Sequence, residues 1–377
     1  MSKEALSPND GAAAVGERFL VTPDGVAVAP LGGELVSLSA GALPGETLEQ
    51  LLGRLCREAR RRSLAPVAGN AFCDPALAAS AGALDFPVSF LGRHDTPAGD
   101  VRGARLSALP AGLGERVNSA EGVPLGARWE TGGAKYLLLG ALTPENTAAA
   151  PDEQSAEMWE TLGALLEANG FKDTDVLRTW FFNRRILDWY DGFNRVRTAY
   201  FNAHNIFGAL VPASTGVGVS NAAGAALSLD VFAAAPLAGT GSDAFRAEAV
   251  VSPLQCPAND YKSAFSRAVE ISTPDGRRLS VSGTASIAPE GATVHKDDLD
   301  AQIKLSLQVV AAILESRGMG WTDVARAILY FPKIEWMPHY ETCRAALGLP
   351  HLPAVYAHAD ICRDDLLFEI ELDAFKP

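Results

Sequence analysis

Three polar residues fall on one side of a predicted helix that begins near position 188 of this chain. Tyr190, Asn194 and Arg197 stand at positions i, i+4 and i+7, so they share one face. Such a face is not typical of a hydrophobic core, and two interpretations remain open. It is either a solvated surface or part of a binding site in which Arg197 holds an anionic group.

A second arginine lies within an apolar strand pattern. The alternation across residues 265–271 places Arg267 on the same strand face as apolar side chains. An arginine buried there needs a partner, because an unpaired buried charge costs several kcal/mol or more. That partner is either a glutamate of this chain or a carboxylate of a substrate. Tyr261, in the preceding loop, is a candidate to close the same pocket.

An acid and a thiol stand close together near the C-terminus. Glu369 alternates with apolar residues in a predicted strand, on the same face as Leu367 and Glu371. This face is either solvated or part of a site. Cys362 precedes Glu369 by seven residues, and taken alone it is typical of a small buried apolar side chain.

These residues belong to a sequence that repeats itself. Each copy predicts a strand, a loop, a helix, a strand, a second helix and a last strand, and both first helices carry acids in their first turn and end at glycine. The first helices are predicted at 152–167 and 297–316. Before the repeat, the spacing of leucines predicts a helix over 46–62, while 1–45 and 96–128 suggest loops and short strands.

The repeat predicts an α+β architecture of two tandem domains, each a mixed sheet with helices on one face. We place an N-terminal domain at 1–235 and a C-terminal domain at 236–377, with a linker rich in glycine near 236–245. The alignment of the copies sets Ser228 against Glu369 and Asp230 against Glu371. An acid present in one copy and absent from the other is what a single active site would produce.

Composition excludes several classes of function. The 377 residues include 32 basic and 45 acidic side chains, a net charge of −13, so a nucleic-acid surface is not expected. No apolar run is long enough to span a membrane and no secretory signal is visible, so we expect a cytoplasmic protein. A small anionic substrate stays compatible, since a few buried cations suffice to bind it.

Motifs for metals and nucleotides are incomplete. Five cysteines without a C-x-x-C pair argue against a disulfide framework or a zinc ribbon. His358 and Asp360 resemble the start of an iron-binding triad, but no histidine follows them. Gly216 and Gly218 lack the third glycine of a dinucleotide motif. We therefore expect neither a metal nor a cofactor.

The second copy resembles the RidA/YjgF superfamily over its whole length. The resemblance is carried by Ser282-Gly283, Gln302, Thr322-Asp323-Val324, Tyr330-Phe331, Pro353-Ala354 and the stretch 367–371. It implies a chorismate-mutase-like α+β fold. The imine deaminases of that superfamily follow Pro-Ala with an arginine that binds the substrate carboxylate. Here Val355 and Ser214 occupy that position in the two copies, and neither side chain can pair with a carboxylate.

A chain with two RidA-like copies is similar to the chorismatase family, which releases pyruvate from chorismate. The stretch 252–261, which continues into Phe265-Ser266-Arg267-Ala268, most resembles the hydroxybenzoate-forming branch of the xanthomonadin pathway. The resemblance implies a chorismatase that forms 3-hydroxybenzoate, 4-hydroxybenzoate or both. Its alternatives are a RidA-like hydrolase of imines or enamines, and a module that binds small carboxylates without turnover.

The same resemblance assigns roles to individual residues. It implies that Glu369 is the catalytic acid and that Cys362 favours hydroxybenzoate over a dihydrodiol. The substrate-binding residues that it implies are Tyr190, Arg197, Tyr261 and Arg267. A product-controlling segment corresponds to positions 283–285, without indicating which of its residues faces the substrate. The expected partner is a small dicarboxylate, and assembly into a homo-oligomer is allowed for.

Overall fold

The architecture consists of three mixed sheets and their helices. The structure, a computed structural model, describes residues 19–241, 244–257 and 263–377. The strands of residues 20–110 and their helix are β1 (Leu20–Val21), β2 (Ala27–Pro30), β3 (Val36–Gly41), α1 (Leu48–Arg61), β4 (Leu64–Cys73), β5 (Val88–Gly92) and β6 (Val101–Pro110). A short 3-10 helix, Pro75–Ala81, connects β4 to β5.

The remaining elements follow in two groups along the chain. The first group contains β7 (Glu115–Asn118), β8 (Pro124–Thr131), β9 (Ala134–Leu142), α2 (Pro151–Ala168), β10 (Val176–Asn183), α3 (Ile186–Ala203), β11 (Ala213–Val217), β12 (Ser220–Asn221) and β13 (Leu227–Pro236). The second contains β14 (Arg246–Val250), β15 (Ala268–Thr273), β16 (Gly276–Ala285), α4 (Leu299–Ser316), β17 (Val324–Phe331), α5 (Met337–Ala346), β18 (Ala354–His358) and β19 (Glu369–Lys376).

The three sheets share one strand order. The first sheet reads β5-β4-β6-β3-β2-β1, the second β11-β10-β13-β9-β8-β7 and the third β18-β17-β19-β16-β15-β14; β12 adds to the free edge of β5. In each sheet the first two strands in this order are parallel, and the remaining neighbours are antiparallel. The fold is therefore built from three copies of one unit.

The predicted α+β class, with tandem sheets that carry helices, is confirmed by this topology. The sequence repeat reveals only the second and third sheets, and the first sheet is an additional copy. It includes β6, a strand of ten residues in a region where short strands and loops were expected. Its second helix is reduced to the 3-10 helix between β4 and β5. The domain division at 235/236 stays a prediction.

Each sheet buries both of its faces. One face packs against its own helices, as where Leu51, Leu52 and Leu55 of α1 pack against the first sheet. The opposite faces of all three sheets meet in a common core that contains Phe72, Trp180 and Ile328. Clefts between the copies consequently lie at the edges of this core, where two sheets approach each other.

Helix α1 lies within the predicted span 46–62 and is capped by the Thr47 side chain, which accepts a hydrogen bond from the Gln50 amide. Its cationic end is structural, since Arg61 pairs with Asp24 and Arg62 with Glu58. In the part of the chain that is described, none of the helices is both apolar and long enough to span a bilayer.

Candidate active site

A cavity opens where the second and third sheets meet. The seam is closed by the Ser214 amide, which donates to Ser282 Oγ (2.8 Å), and by the Gly283 amide, which donates to Thr215 Oγ1 (3.1 Å). The lining residues are Tyr190, Phe193, Arg197, Ser214, Thr215, Gly216, Phe265, Arg267, Gly283, Ala285, Ile287, Cys362, Arg363 and Glu369.

Helix α3 presents Tyr190 and Arg197 of the predicted Tyr/Asn/Arg face to this cavity. Arg197 is only 3% exposed, and its Nη2 donates to Asn194 Oδ1 over 2.6 Å. Its guanidinium carbon lies 4.9 Å from the ring centroid of Phe193, a cation–π distance. Asn194 in turn donates to the carbonyl of Tyr190. Asn194 and Arg197 are buried and Tyr190 is half-buried, so the face is not a solvated surface.

The second arginine, Arg267, reaches the same cavity from the position just before β15. Arg267 is 4% exposed, and its Nε and Nη2 both donate to the carbonyl oxygen of Cys256, over 3.0 and 2.9 Å. The neighbouring Gln255 donates to the carbonyls of Ala285 and Ile287, which anchors this loop to the cavity wall. The Cys256 carbonyl thus orients the Arg267 guanidinium. Tyr261 lies outside the described residues.

Glu369 is the first residue of β19 and lines the same cavity as Arg197 and Arg267. It pairs with Ala285 of β16 and Tyr330 of β17, and it is 5% exposed. Burial raises the pKa of Glu369 to about 8, and the negative charge of Glu371 adds to the rise, while Arg178 and Arg267 oppose it. A carboxyl group with such a pKa is mostly protonated at neutral pH.

The second acid of this strand has the opposite character. Glu371 accepts hydrogen bonds from Arg178 (2.5 Å) and from both terminal nitrogens of Arg326 (2.7 and 3.0 Å). Burial alone would raise its pKa, yet the two guanidinium groups hold the pKa below the usual value. Two carboxyl groups on one strand face therefore differ in protonation, which is how acid and base roles are separated in active sites.

The strand register shows that the acid at position 369 is specific to one copy. Glu369 is paired with Tyr330, the equivalent Ser228 with Phe182, and Gly103 of the first sheet with Phe72. The Glu/Ser asymmetry read from the sequence is thus extended by a glycine in the first copy. Among these three equivalent positions, all within the described residues, the carboxyl group is found at 369 alone, in the cleft between the second and third sheets.

Cys362 forms part of the cavity wall and is half-buried. It packs beside Ala285, Ile287, Ile361 and Leu366. Burial raises the pKa of the Cys362 thiol to about 12, and the charge of Glu369 contributes to the rise. The thiol is therefore neutral at physiological pH, which suits a wall group and not a nucleophile.

Comparison with known proteins identifies relatives of this chain. No family model matches the chain. A 3-hydroxybenzoate synthase of Streptomyces hygroscopicus is 30% identical over 247 residues, which cover 58% of this chain and 68% of the relative. A chorismatase of Streptomyces rapamycinicus is 31% identical over 222 residues, 52% of this chain and 63% of the relative. The chain belongs to the chorismatase family.

One solved structure shares the fold of this chorismatase-family protein. A crystal structure of a chorismatase superposes with a TM-score of 0.61 at 20% sequence identity. The superposition covers 83% of this chain and 93% of that one. It therefore includes much of the chain outside the 52–58% aligned with the two curated relatives.

The structure distinguishes the residues of the expected segment 283–285, and it adds Phe193 and Thr215, which were not predicted, to the lining of this chorismatase-family cavity. Gly283 and Ala285 line the cavity, whereas the buried Thr284 donates its hydroxyl to the carbonyl of Ser282. Phe193 had a usable signal, since it follows Tyr190 by three residues on the same helical face. Thr215 had none, because its place depends on the contact between two sheets.

The residues that resemble the start of an iron-binding triad, His358 and Asp360, have other partners in the structure. Within 19–241, 244–257 and 263–377, no group of three or more His, Cys, Asp or Glu side chains is arranged to hold a metal ion. The His358 ring lies 3.2 Å from Thr96 Oγ1 and 3.2 Å from the Pro332 carbonyl. Asp360 is paired with Arg93 over 2.6 Å.

Replacing Gly283 tests the position of the acid. A Cβ added at this residue would lie 2.1 Å from Glu369 Oε1, closer than real side chains approach. We expect Gly283→Ala to push the carboxyl group aside and to lower turnover about 100-fold, the scale of a displacement of about 1 Å in an active site. Steady-state kinetics on Gly283→Ala and on a control variant measure this loss of turnover.

Gly41→Ala is the matched control, because a Cβ at this strand glycine meets nothing closer than a carbonyl oxygen at 4.0 Å. Its turnover should equal that of the unmodified protein. Full activity in Gly283→Ala would contradict the position that we give to Glu369.

Proposed function

We propose that this protein cleaves chorismate to pyruvate and hydroxybenzoate, with Glu369 as the acid that protonates the enol ether. The observation that carries the proposal is a buried carboxyl group with a pKa of about 8 in a cavity that also contains Arg197 and Arg267. The names of the relatives, 3-hydroxybenzoate synthase and chorismatase, support the choice of substrate.

Substrate binding in this proposal depends on the two arginines. Chorismate carries two carboxylates, and guanidinium groups bind carboxylates with strong, directional hydrogen bonds. Arg197 enters from α3 of the second copy and Arg267 from the third copy, so the substrate would bridge the two sheets. Phe193 and Phe265 provide apolar surface beside the guanidinium groups.

The chemical step begins at the methylene carbon of the enol ether. Glu369 gives its proton to this carbon, and the double-bond electrons form the new C–H bond, which leaves an oxocarbenium ion. When the ring carbon–oxygen bond then breaks, its electrons complete the pyruvate carbonyl. The carboxylate that remains on Glu369 lies near Arg178 and Arg267, whose charges favour the ionised form and so assist the proton transfer.

The fate of the ring defines the aromatic product. If the neighbouring ring hydroxyl displaces the departing oxygen, an arene-oxide-like species forms and opens to 3-hydroxybenzoate. If pyruvate instead leaves by elimination, together with the hydrogen of the hydroxyl-bearing ring carbon, the hydroxyl is kept and 4-hydroxybenzoate results. Cys362 lies in the wall of the cavity, where a neutral side chain keeps water from adding to the ring.

The imine-hydrolase alternative lacks its carboxylate-binding residue in this cavity. Val355 is buried in the common core, and Ser214 accepts a weak hydrogen bond from Arg197 over 3.5 Å. Incubation with chorismate and, separately, with a 2-imino acid distinguishes the functions. Pyruvate with an aromatic product supports the proposal, ammonia from the imine supports the alternative, and binding of chorismate without turnover supports a binding module.

The pH dependence of the reaction should follow the protonation of Glu369. Because the acid must be protonated to act, activity is retained below its pKa and is lost as the pH rises through it. With a pKa of about 8, we expect kcat/KM to fall about tenfold per pH unit above that value. Rates measured between pH 6 and 10 test this, and a kcat/KM that rises above pH 8 would contradict the acid role.

Removal of Arg197 should weaken substrate binding. Its guanidinium is buried in the cavity, and hydrogen bonds to charged groups contribute about 1.5–3 kcal/mol. We expect Arg197→Ala to raise KM or lower kcat/KM by the corresponding factor, about 10- to 150-fold. Arg195→Ala is the control, since Arg195 lies on the same helix but pairs with Asp152 at the surface. Equal kinetics for the two variants would remove Arg197 from the binding site.

Two expectations from the sequence stay predictions. A cytoplasmic location is consistent with the proposed use of a small metabolite, and a homo-oligomer is not required to complete the cavity. The residues that line it come from the second and third copies of a single chain. Size determination in solution would test the oligomeric state.

A further inference from the structure

One short segment of the third copy contacts both other copies. The backbone of Asp360 exchanges two hydrogen bonds with Gly218 of the second copy, over 2.7 and 2.9 Å. Its carboxylate accepts a hydrogen bond from Arg93 Nε of the first copy over 2.6 Å. The Arg93 amide also donates to the carbonyl of His358. The segment 358–360 is thus held between the ends of the other two sheets.

This segment leads directly into the wall of the cavity. Cys362 and Arg363 line the cavity and follow Asp360 by two and three residues. The contact with Gly218 is close, because a Cβ there would lie 2.6 Å from the Asp360 Cβ. A change in the position of Asp360 would therefore move the backbone that carries Cys362.

We propose that Arg93 is a positioning residue for this wall, and that the first copy thereby controls how the bound intermediate partitions between aromatic and water-derived products. The inference rests on the function proposed above, in which the wall excludes water. It gives a role to the first sheet, which lacks an acid at the position of Glu369 and contributes no residue to the cavity lining.

The Arg93–Asp360 pair is suited to such a role. The Asp360 side chain is 8% exposed and the Arg93 side chain 21%, so the pair is partly withdrawn from water and fixed at both ends. Arg93 Nη1 is oriented by Asp95 (2.5 Å), and His94 lies 3.7 Å from the second Asp360 oxygen. The guanidinium therefore has one defined direction toward the segment.

The test compares the products of Arg93→Ala, Arg93→Lys and Asp360→Asn with those of the unmodified protein. We expect the share of water-derived dihydrodiol relative to hydroxybenzoate to rise about tenfold in Arg93→Ala, within the range that a displacement of about 1 Å produces. Arg93→Lys should restore part of the original ratio. Cys362→Ala provides the reference for a wall altered directly.

Arg102→Ala is the matched control. Arg102 lies in β6 of the first copy, is 28% exposed and pairs with Asp100 over 2.6 Å; its charge acts on His358, but no hydrogen bond or ion pair of the described residues joins it to the segment 358–360. Its product ratio should be unchanged. Thermal unfolding of all variants separates loss of fold from loss of position, and Asp360→Asn, which retains the shape of the side chain, tests the same contact should Arg93→Ala unfold.

An independent readout keeps this inference separate from the proposed function. Alkylation of the Cys362 thiol, followed by mass spectrometry, should be several-fold faster in Arg93→Ala than in Arg102→Ala. If the unmodified protein releases no pyruvate from chorismate, the proposed function fails and the alkylation rates alone decide on the positioning role. An unchanged product ratio in folded, active Arg93→Ala, or equal alkylation rates in an inactive protein, would overturn the inference.

Discussion

Glu369→Gln should retain the fold and the affinity for chorismate while losing most pyruvate release. Glutamine has nearly the shape of a protonated glutamate but cannot give up a proton to the methylene carbon. General acid groups typically contribute about 10²–10⁴-fold to rate, and we expect a loss of that size. Stopped assays of pyruvate, combined with a binding measurement on the same variant, separate the chemical step from binding.

Glu130→Gln is the control for this substitution, because Glu130 is an exposed strand residue of the second sheet. It should behave like the unmodified protein in both assays. A Glu369→Gln protein that releases pyruvate at full rate would remove Glu369 from the mechanism. A variant that no longer binds chorismate would instead indicate that the residue is needed for the cavity itself.

The second large effect concerns stability. Arg326 is fully buried and donates to Glu371 and to Asp373, the latter over 2.5 Å. Arg326→Met would remove a positive charge that pairs with two buried carboxylates, those of Glu371 and Asp373. Breaking a buried ion pair from one side costs about 3–5 kcal/mol, and we expect the free energy of unfolding to fall by that amount. Denaturant titration measures the change.

Arg128→Met is the corresponding surface control. Arg128 pairs with Glu115 over 2.7 Å, but both side chains are largely exposed, so the expected loss is at most about 1 kcal/mol. Similar losses in the free energy of unfolding for the two variants would contradict the view that burial makes the central ion pairs more important for stability than surface pairs. Loss of the Arg326 charge should also change the pKa of Glu369 indirectly. Arg326 stabilises the ionised form of Glu371, and the charge of Glu371 acts on Glu369.

The elements with strong local signals could be predicted. The leucine spacing of α1 and the acids and glycines that bound α2 and α4 mark these helices in the sequence. The repeat also relates the second and third sheets, because equivalent strands keep similar residues. The first copy escaped since its second helix is replaced by the 3-10 helix Pro75–Ala81, which removes the periodic pattern that identifies the unit.

The candidate site was predictable where one element carries the signal. Tyr190 and Arg197 share a helical face, and Glu369 differs from its counterpart Ser228. These two patterns are visible in the sequence and mark the three residues as candidates. The charged centre was not recognised. Alternation in β19 suggests a solvated face for Glu371, whereas the packing of three sheets buries that face and supplies Arg178 and Arg326. Contacts between copies leave no local pattern in the chain.

The central claim is that the protonated Glu369 initiates release of pyruvate from chorismate. Its most direct test measures pyruvate and hydroxybenzoate together, in one reaction of the unmodified protein and a parallel reaction of Glu369→Gln. The account predicts equal molar amounts of the two products from the unmodified protein and a loss of both, about 10²–10⁴-fold, in the variant. The absence of pyruvate from the first reaction, or equal rates in both, would contradict it.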